Sequence, residues 1–515
     1  MIDENFIQLN KLKMRSFTCF KTENNNHYIY NSLKRQSIYC HPILAKIIIK
    51  WLHKPKAFCI KELYDEEVKY DKKTIDHYFN KFFILLRNGF LTEQKIKNTA
   101  LTKIPLQEIE KNLANADHIV FEVTEACNLN CNYCGYGDLY WDHDERTNSV
   151  LDERIAFRLL SYLESLWNDS KNISHNKEIM ISFYGGEPLL NIAFIKKIVK
   201  YIENTEYTHN QFNFGITTNG VLLHKYIDFL VKHNFYISIS LDGDIKMNRH
   251  RIFHDGSSSF NIVFNNIILI KEKYPEYYNK NISFNAVLHN YNDIEDIIRF
   301  FDKNLDKIPR ISQLNNMGIA NAKWDSFKKM YRLSKDSIKS ADDINFLKEK
   351  MEIDFPGNFD KTTFLHNNFD NTFWNYQELF KNNVSSNTRI PTGTCMPFSK
   401  KIFLTAQGKI LPCERIGHQY SLGGVNETKV DLNIGTVVKL FEKNFNKIKK
   451  QCEACYHFNS CRQCIFNIES LNEDAVCEAF SDQNAFLHSL ADFYHFFENE
   501  PEFYTNTMKN IVIRY

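Results

Sequence analysis

The sequence predicts an α/β protein. At its centre is an open, partial barrel of six strand–helix units, with a small α+β unit before it and a cysteine-rich domain after it. Three observations carry that prediction. Candidate strands and helices alternate from residue 118 to about 315, and strand–helix repetition implies parallel strands with crossover helices. The 13 cysteines are clustered: they are dense at 127–134 and at 395–477, with none between those groups. The 515 residues are 43% apolar and 14% aromatic, enough for sizeable cores, so wholesale disorder is excluded.

Residues 1–91 read as a winged-helix order. His27–Tyr30 and Gln36–Tyr39 form two short strands around a Ser-Leu-Lys-Arg turn. Pro42 can open the next helix, in which Leu44, Ile47, Ile48, Trp51 and Leu52 recur at helical spacing. A short helix follows, then a long one carrying Ile75, Tyr78, Phe79, Phe82, Leu85 and Leu86, then a final strand. Residues 92–117 are polar and read as a linker. In 118–318 the strands are expected at 118–123, 179–184, 212–217, 236–241, 282–288 and 310–314. Helices are expected at 151–167, 190–202, 221–233, 260–274 and 293–303. Six such units suit a partial (β/α)6 barrel better than a complete barrel of eight. Residues 319–390 read as a helical bridging region, 391–480 as the cysteine-rich domain and 481–515 as an aromatic, helical tail.

Charge and targeting signals narrow the function. Lys and Arg number 64 against 62 Asp and Glu, which argues against a nucleic-acid coat. The first hundred residues hold 18 basic and 10 acidic side chains, a local balance of +8. No run of about 18 apolar residues marks a membrane span, and the N-terminus has no apolar signal segment. A cytoplasmic location is therefore expected. Cytosolic thiols are kept reduced, so the cysteine groups call for metal chemistry more than disulfides.

The first group, Cys127-x3-Cys131-x2-Cys134, directly follows the first barrel strand. It thus sits at the C-terminal mouth, where catalytic groups of such barrels gather. Thiolates suit zinc or iron–sulfur clusters. Three ligands on one loop leave one metal position open, though spacing alone also allows a Cys3His zinc site or buried thiols. Other strand ends reach the same mouth: Tyr184-Gly185-Gly186-Glu187-Pro188, Thr217-Thr-Asn219-Gly220 and Ser238-Ile-Ser240-Leu-Asp-Gly243. Each could be a plain turn. Together they place glycines where a backbone can approach a ligand and put the acceptor Glu187 where a ligand ammonium could dock.

These residues resemble a radical S-adenosylmethionine (SAM) enzyme. The match rests on C-x3-C-x2-C with an aromatic, Tyr133, before the third cysteine, and on the Gly185-Gly186-Glu187-Pro188 motif. The resemblance implies a 4Fe-4S cluster on Cys127, Cys131 and Cys134. Its open iron would chelate SAM, and SAM cleavage would yield a 5′-deoxyadenosyl radical. It further implies that Glu187, Gly185 and Gly186 meet the methionine ammonium and Ser240 the ribose, with Tyr133 and Asn219 also at the cofactor. Arg251 would reach the SAM carboxylate. The spacing from Ser240 leaves Arg249 as an alternative. An electron donor such as flavodoxin or ferredoxin is implied, with no nucleic acid and no membrane as partners.

The second group reads Cys395-x12-Gly408-x4-Cys413, then Cys452-x2-Cys455-x5-Cys461-x2-Cys464, then Cys477. C-x2-C pairs alone would fit zinc ribbons. The C-x12-G-x4-C element instead resembles the SPASM extension of peptide-modifying radical SAM enzymes, which holds two auxiliary 4Fe-4S clusters. The resemblance assigns Cys452, Cys455, Cys461 and Cys477 to an outer cluster and leaves Cys395, Cys413 and Cys464 for an inner one. Two fully Cys-ligated clusters take four thiolates each, one more than the seven present. The inner cluster is thus expected to have an open iron or a non-Cys ligand. Glu414 follows Cys413, where one SPASM subfamily carries a base. A carboxylate enclosed beside a cluster is expected to have a raised pKa, while pairing with Arg415 or a lysine is the plainer role.

Residues 1–91, with Tyr28-Ile-Tyr30 and His41-Pro42, resemble the precursor-recognition element of ribosomal-peptide biosynthesis. That winged helix binds a leader peptide as an added strand. A barrel cap or a DNA-binding unit is the alternative, and Lys72, Lys73, Lys81 and Arg87 are few basic groups for reading a groove. Cys19, Cys40 and Cys59 have no paired spacing and read as buried thiols. The expected function is modification of a leader-bearing precursor peptide, by crosslinking or side-chain oxidation. The alternatives are a formylglycine-generating enzyme of the anaerobic sulfatase-maturing type and an iron–sulfur winged-helix regulator.

Overall fold

The computed structural model describes residues 17–31, 36–53, 60–66, 69–91, 103–143, 147–172, 178–205, 211–351, 358, 361–362, 364–365, 390–458, 461–468, 471 and 474–509. The Ser32–Arg35 turn, Cys59, residues 92–102 and, of the bridging region, residues 352–357, 359–360, 363 and 366–389 lie outside these; Phe90 and Leu91, at the end of the first unit, form a bend where a final strand was expected.

The chain begins with an antiparallel sheet of β1 (Phe17–Lys21), β2 (His27–Asn31) and β3 (Gln36–Cys40), in that spatial order. β1 was not expected; its FTCFK sequence is short and has no flanking turn signal. Alternation gives this sheet two apolar faces. One face packs Phe17, Cys19, Ile29 and Cys40 against α1 (Pro42–His53), α2 (Ile60–Glu66) and α3 (Lys72–Arg87). Cys19 and Cys40 are buried free thiols, as expected.

Within the segment 92–117 expected to be a linker, α4 (Leu106–Ala114) instead buries Ile109 and Leu113 in the barrel's own core. Six parallel strands then run in order: β4 (His118–Thr124), β5 (Glu178–Gly185), β6 (Gln211–Thr218), β7 (Tyr236–Ser240), β8 (Ile282–Leu288) and β9 (Arg310–Gln313). All lie within a residue or two of the expected positions. The crossover helices are α5 (Glu153–Trp167), α6 (Ile192–Asn204), α7 (Leu223–Lys232), α8 (Phe260–Lys273) and α10 (Ile294–Leu305), with a short unexpected α9 (Pro275–Asn281) after α8. Phe121, Phe183, Ile216, Ile237 and Phe284 point from successive strands into one core with the helices' apolar stripes.

The sheet continues past β4. After three helices, α11 (Trp324–Met330), α12 (Ser334–Lys339) and α13 (Ile344–Met351), the strand β10 (Ile402–Leu404) pairs parallel to β4. The strands β11 (Lys409–Leu411), β12 (Gly423–Val425) and β13 (Val430–Asp431) follow antiparallel, which makes a ten-stranded sheet. The cysteine-rich region is thereby joined to the barrel through backbone hydrogen bonds.

The helix α14 (Ile434–Ala454) then leads to the outer cysteines. In the tail, α15 (Gln483–Asn499) is followed by α16 (Pro501–Lys509). Helix α15 lays Phe486, Leu487, Leu490 and Tyr494 against Phe20 and Tyr30, on the other face of the N-terminal sheet. Among the described residues, no helix is long and apolar enough to cross a membrane.

Candidate active site at the barrel mouth

Five consecutive strands end at the same edge of the sheet, and their C-terminal segments build the site. The cysteine loop leaves β4 at Thr124. It is tied inward by the Cys134 N–H to Cys131 carbonyl bond (3.0 Å) and covered by the segment after β7, with Asn130 N–H donating to Ile252 O (2.7 Å) and Asn132 N–H to His250 O (3.1 Å). His254 Nε2 meets the Cys127 carbonyl at 2.9 Å. Cys127, Cys131 and Cys134 are electrostatic neighbours, and burial pushes the Cys131 thiol up to about 12. Metal ligation would have to displace that proton.

Gly185 and Gly186 press against the root of this loop. A Cβ on Gly186 would lie 2.2 Å from the Ala126 carbonyl oxygen, and one on Gly185 2.4 Å from that of Thr124. The glycines were expected to let a ligand approach; their nearest neighbours are instead the loop backbone. Glu187 follows these glycines. It is fully buried. Its carboxylate accepts from Thr218 Oγ1 (2.7 Å), Leu189 N–H (3.0 Å) and Asn219 N–H (2.7 Å). The side chain therefore braces the ends of β5 and β6. Burial lifts its carboxyl to about 7 against the pull of those three donors. Asn219, held this way, points Nδ2 at Cys127 Sγ (3.7 Å) and Asn128 Oδ1 (2.7 Å).

Tyr133 and Arg251 meet on a residue the sequence reading passed over as part of a strand end. Asp242 is fully buried and receives the Tyr133 hydroxyl, Arg251 Nη2 (3.0 Å) and the Val287 N–H (2.9 Å). His289, equally buried, lies 3.5 Å from it. Arg251 stacks 5.5 Å above the Tyr133 ring, and its buried Nε has no partner among the described residues. Arg249, the alternative, is exposed over Tyr291 (5.2 Å) and lines an outer cavity of about 390 Å³ with Lys246 and Ser258. Ser240 is half-buried at the end of β7. The only sequence sign of Asp242 is an acid directly after a strand-terminal Ser-Leu.

Cys452 has Cys455, Cys461 and Cys477 as electrostatic neighbours. Cys464 neighbours both Cys395 and Cys413. Among the described residues, no three His, Cys, Asp or Glu side chains are arranged to hold a single metal ion. Gly408 turns the β10–β11 hairpin at φ +83, where a Cβ would strike the Val425 carbonyl oxygen at 2.4 Å. Glu414 accepts from Lys401 Nζ (3.0 Å), with Arg415 Nε at 3.9 Å. Its pKa was expected to be raised. Burial does push it up, but Lys401, the hydrogen bonds and Arg415 outweigh that and hold it below the usual carboxylate range. Tyr184, pushed up to about 12 by burial, feels both Glu414 and Cys134, so the first cysteine loop and Glu414 border one region.

Soft thiols sharing one loop beside an unpartnered, buried guanidinium Nε–H fit a ligand with soft-metal and anionic character. Comparison with known proteins agrees. Residues 121–303 match the Radical SAM superfamily. A radical SAM cyclopropyl synthase, TigE, of Paramaledivibacter caminithermalis is 23% identical over 404 residues, covering 76% of each chain. A cysteine-type anaerobic sulfatase-maturating enzyme of Clostridium novyi is 24% identical, covering 69% of this chain and 90% of that one. Among solved structures, native anSMEcpe with bound AdoMet aligns with a TM-score of 0.48 at 19% identity, over 76% of this chain and 98% of that one.

Proposed function

The chain is a radical SAM enzyme, matching that superfamily over residues 121–303, and from that premise we propose that it modifies a ribosomally made precursor peptide, by a crosslink or a side-chain oxidation. The observation that carries this reading is the grouping of ten thiols into three, three and four around the barrel and its sheet extension. Cys127, Cys131 and Cys134 would hold the SAM-binding 4Fe-4S cluster. Cys395, Cys413 and Cys464 would hold an inner auxiliary cluster, and Cys452, Cys455, Cys461 and Cys477 an outer one. These groups supply, when bound, a 5′-deoxyadenosyl radical for hydrogen abstraction and redox capacity for a two-electron outcome.

The residues around them have separable tasks. Asn219, fixed by Glu187, orients the Cys127 arm of the loop. Arg251 offers its Nε–H to the bound group. Glu414, kept anionic by Lys401, places a carboxylate where a substrate cation or a released proton can be received. An external carrier such as flavodoxin or ferredoxin would deliver electrons.

The precursor would dock on the N-terminal unit, whose β3 is an edge strand with Tyr39 64% exposed. An edge that is unpaired among the described residues, beside α3, suits strand addition by an extended leader, and Lys72, Lys73, Lys81 and Arg87 suit an acidic one. Likeness to a sulfatase-maturating relative supports a second reading, formylglycine formation on a Cys or Ser.

Anaerobic incubation with SAM and a reductant tests the core reading. The protein should release 5′-deoxyadenosine, and changing Cys127, Cys131 and Cys134 together to Ala should abolish release. Persisting release from the triple variant would overturn the assignment. Offering a leader-bearing peptide and a leaderless sulfatase-type peptide side by side separates the two substrate readings.

A further inference from the structure

We propose that Asp242 is a positioning and charge-compensating anchor for the cluster loop: it fixes Arg251 and Tyr133 beside Cys131, so that the arginine meets the bound cluster as a hydrogen-bond donor without adding net positive charge. The proposal rests on the reading that Cys127, Cys131 and Cys134 hold a cluster.

The geometry assigns this role to one carboxylate. Asp242 gathers four elements: the cysteine loop through Tyr133, the post-β7 turn through Arg251, the end of β8 through Val287 N–H, and the following turn through His289. Its own N–H donates to Asn248 Oδ1 (3.2 Å) and its carbonyl accepts from Asn292 (3.4 Å). The two formal charges in this network oppose each other. His289 Nδ1 accepts the Tyr291 N–H (3.1 Å), and its Nε2 faces both Asp242 Oδ2 (3.5 Å) and Asn292 Nδ2 (3.2 Å). His250 lies between the amides of Asn132 (3.1 Å) and Asn290 (2.8 Å), with no charged hydrogen-bond partner. Arg249 is outside, over Tyr291. Arg251 lies over the Tyr133 ring (5.5 Å), two residues along the loop from Cys131.

The consequence is electrostatic. Reducing a cluster adds negative charge, so an uncompensated neighbouring cation favours the reduced form and makes it a weaker reductant. A compensated arginine keeps its hydrogen bond, a recognised means of tuning a metal site from outside its ligands, without that cost. The Nε–H, which has no partner among the described residues, is the donor left for the bound group.

An EPR-monitored redox titration of reconstituted enzyme tests this, following the signal that changes when SAM is added, with iron and sulfide counted per chain. Wild type lacking such a signal would refute the underlying cluster reading, not this proposal. With the signal present, Asp242→Asn should shift the midpoint to a more positive potential and Arg251→Gln to a more negative one. The double variant should return toward wild type, and Arg251→Lys should stay near it. Unchanged midpoints, or shifts of one sign in all variants, would overturn the proposal. If Asp242→Asn fails to hold iron, Arg251→Lys and Arg251→Gln decide alone: equal midpoints overturn the charge role. Loss of iron from every variant would assign the network to folding only.

Discussion

Three protein donors converge on the Glu187 carboxylate, and burial still lifts it to about 7. Its unfolded value is near 4.5. Below that pH the group is protonated in both states and costs nothing. As pH rises, the unfolded chain ionises first, so stability falls until the folded group ionises near 7. The gap corresponds to about 3 kcal/mol at most. Glu187→Gln removes this titration but sets an amide N–H against a backbone N–H, costing about 1–3 kcal/mol where the carboxylate was ionised. Denaturant unfolding measured at several pH values should therefore show a shallower fall for the variant than for wild type between about pH 4.5 and 7. Equal slopes would remove Glu187 from the account. Glu414 teaches the converse: an adjacent lysine reverses what burial alone would do, and no sequence spacing places Lys401 beside it.

The barrel strands were legible because most carry apolar residues at every second position before a turn signal, as in β5, β7 and β8, while β4 is buried along nearly its whole length. The strands β10 to β13, of two or three residues each, are too short to show a period. They form because the neighbouring edge of β4 is open to receive β10. The site shows the same division. The cysteine groups were legible from spacing, whereas Asp242, His289 and the turned-in Glu187 depend on contacts across the strand ends that no local pattern encodes. Gly186 was read correctly as a close-approach residue but with the wrong neighbour. In Gly186→Ala the new methyl would meet carbonyl oxygens at 2.2 and 2.6 Å, and backbone cannot swing aside as a flexible side chain can. The end of β5 must move from the cysteine loop, at about 1–3 kcal/mol. Iron per chain should drop along with the unfolding midpoint; a variant with full iron content would show that the loop does not depend on this contact.

At the scale of the whole molecule, the N-terminal unit is not a loosely tethered module. Its sheet is sandwiched between its own helices and α15 of the tail, with Thr22 and Tyr28 donating to Glu498 (2.9 and 2.8 Å) and Tyr494 bonded to Ser37. The tail helix in turn starts beside the outer cysteines, where Ser481 N–H donates to Cys455 Sγ (3.4 Å). Removing residues 1–90 alone would uncover Phe486, Leu487, Leu490 and Tyr494, an apolar stripe of the kind that drives aggregation. A truncation of 1–90 is therefore expected to aggregate whether or not the unit recognises a leader. Replacing the four stripe residues with polar ones in the same truncation should restore a soluble protein, because the exposed apolar face is then gone. If the unit serves recognition, this repaired truncation should keep its iron and its substrate-free 5′-deoxyadenosine release. Modification of the full-length precursor should fall steeply, since the tether that raises substrate concentration at the site is gone. Iron content, 5′-deoxyadenosine yield and peptide mass would be measured on one preparation. A repaired truncation that modifies the precursor at the full-length rate would contradict the recognition role, and one that loses its iron would make the unit a structural cap.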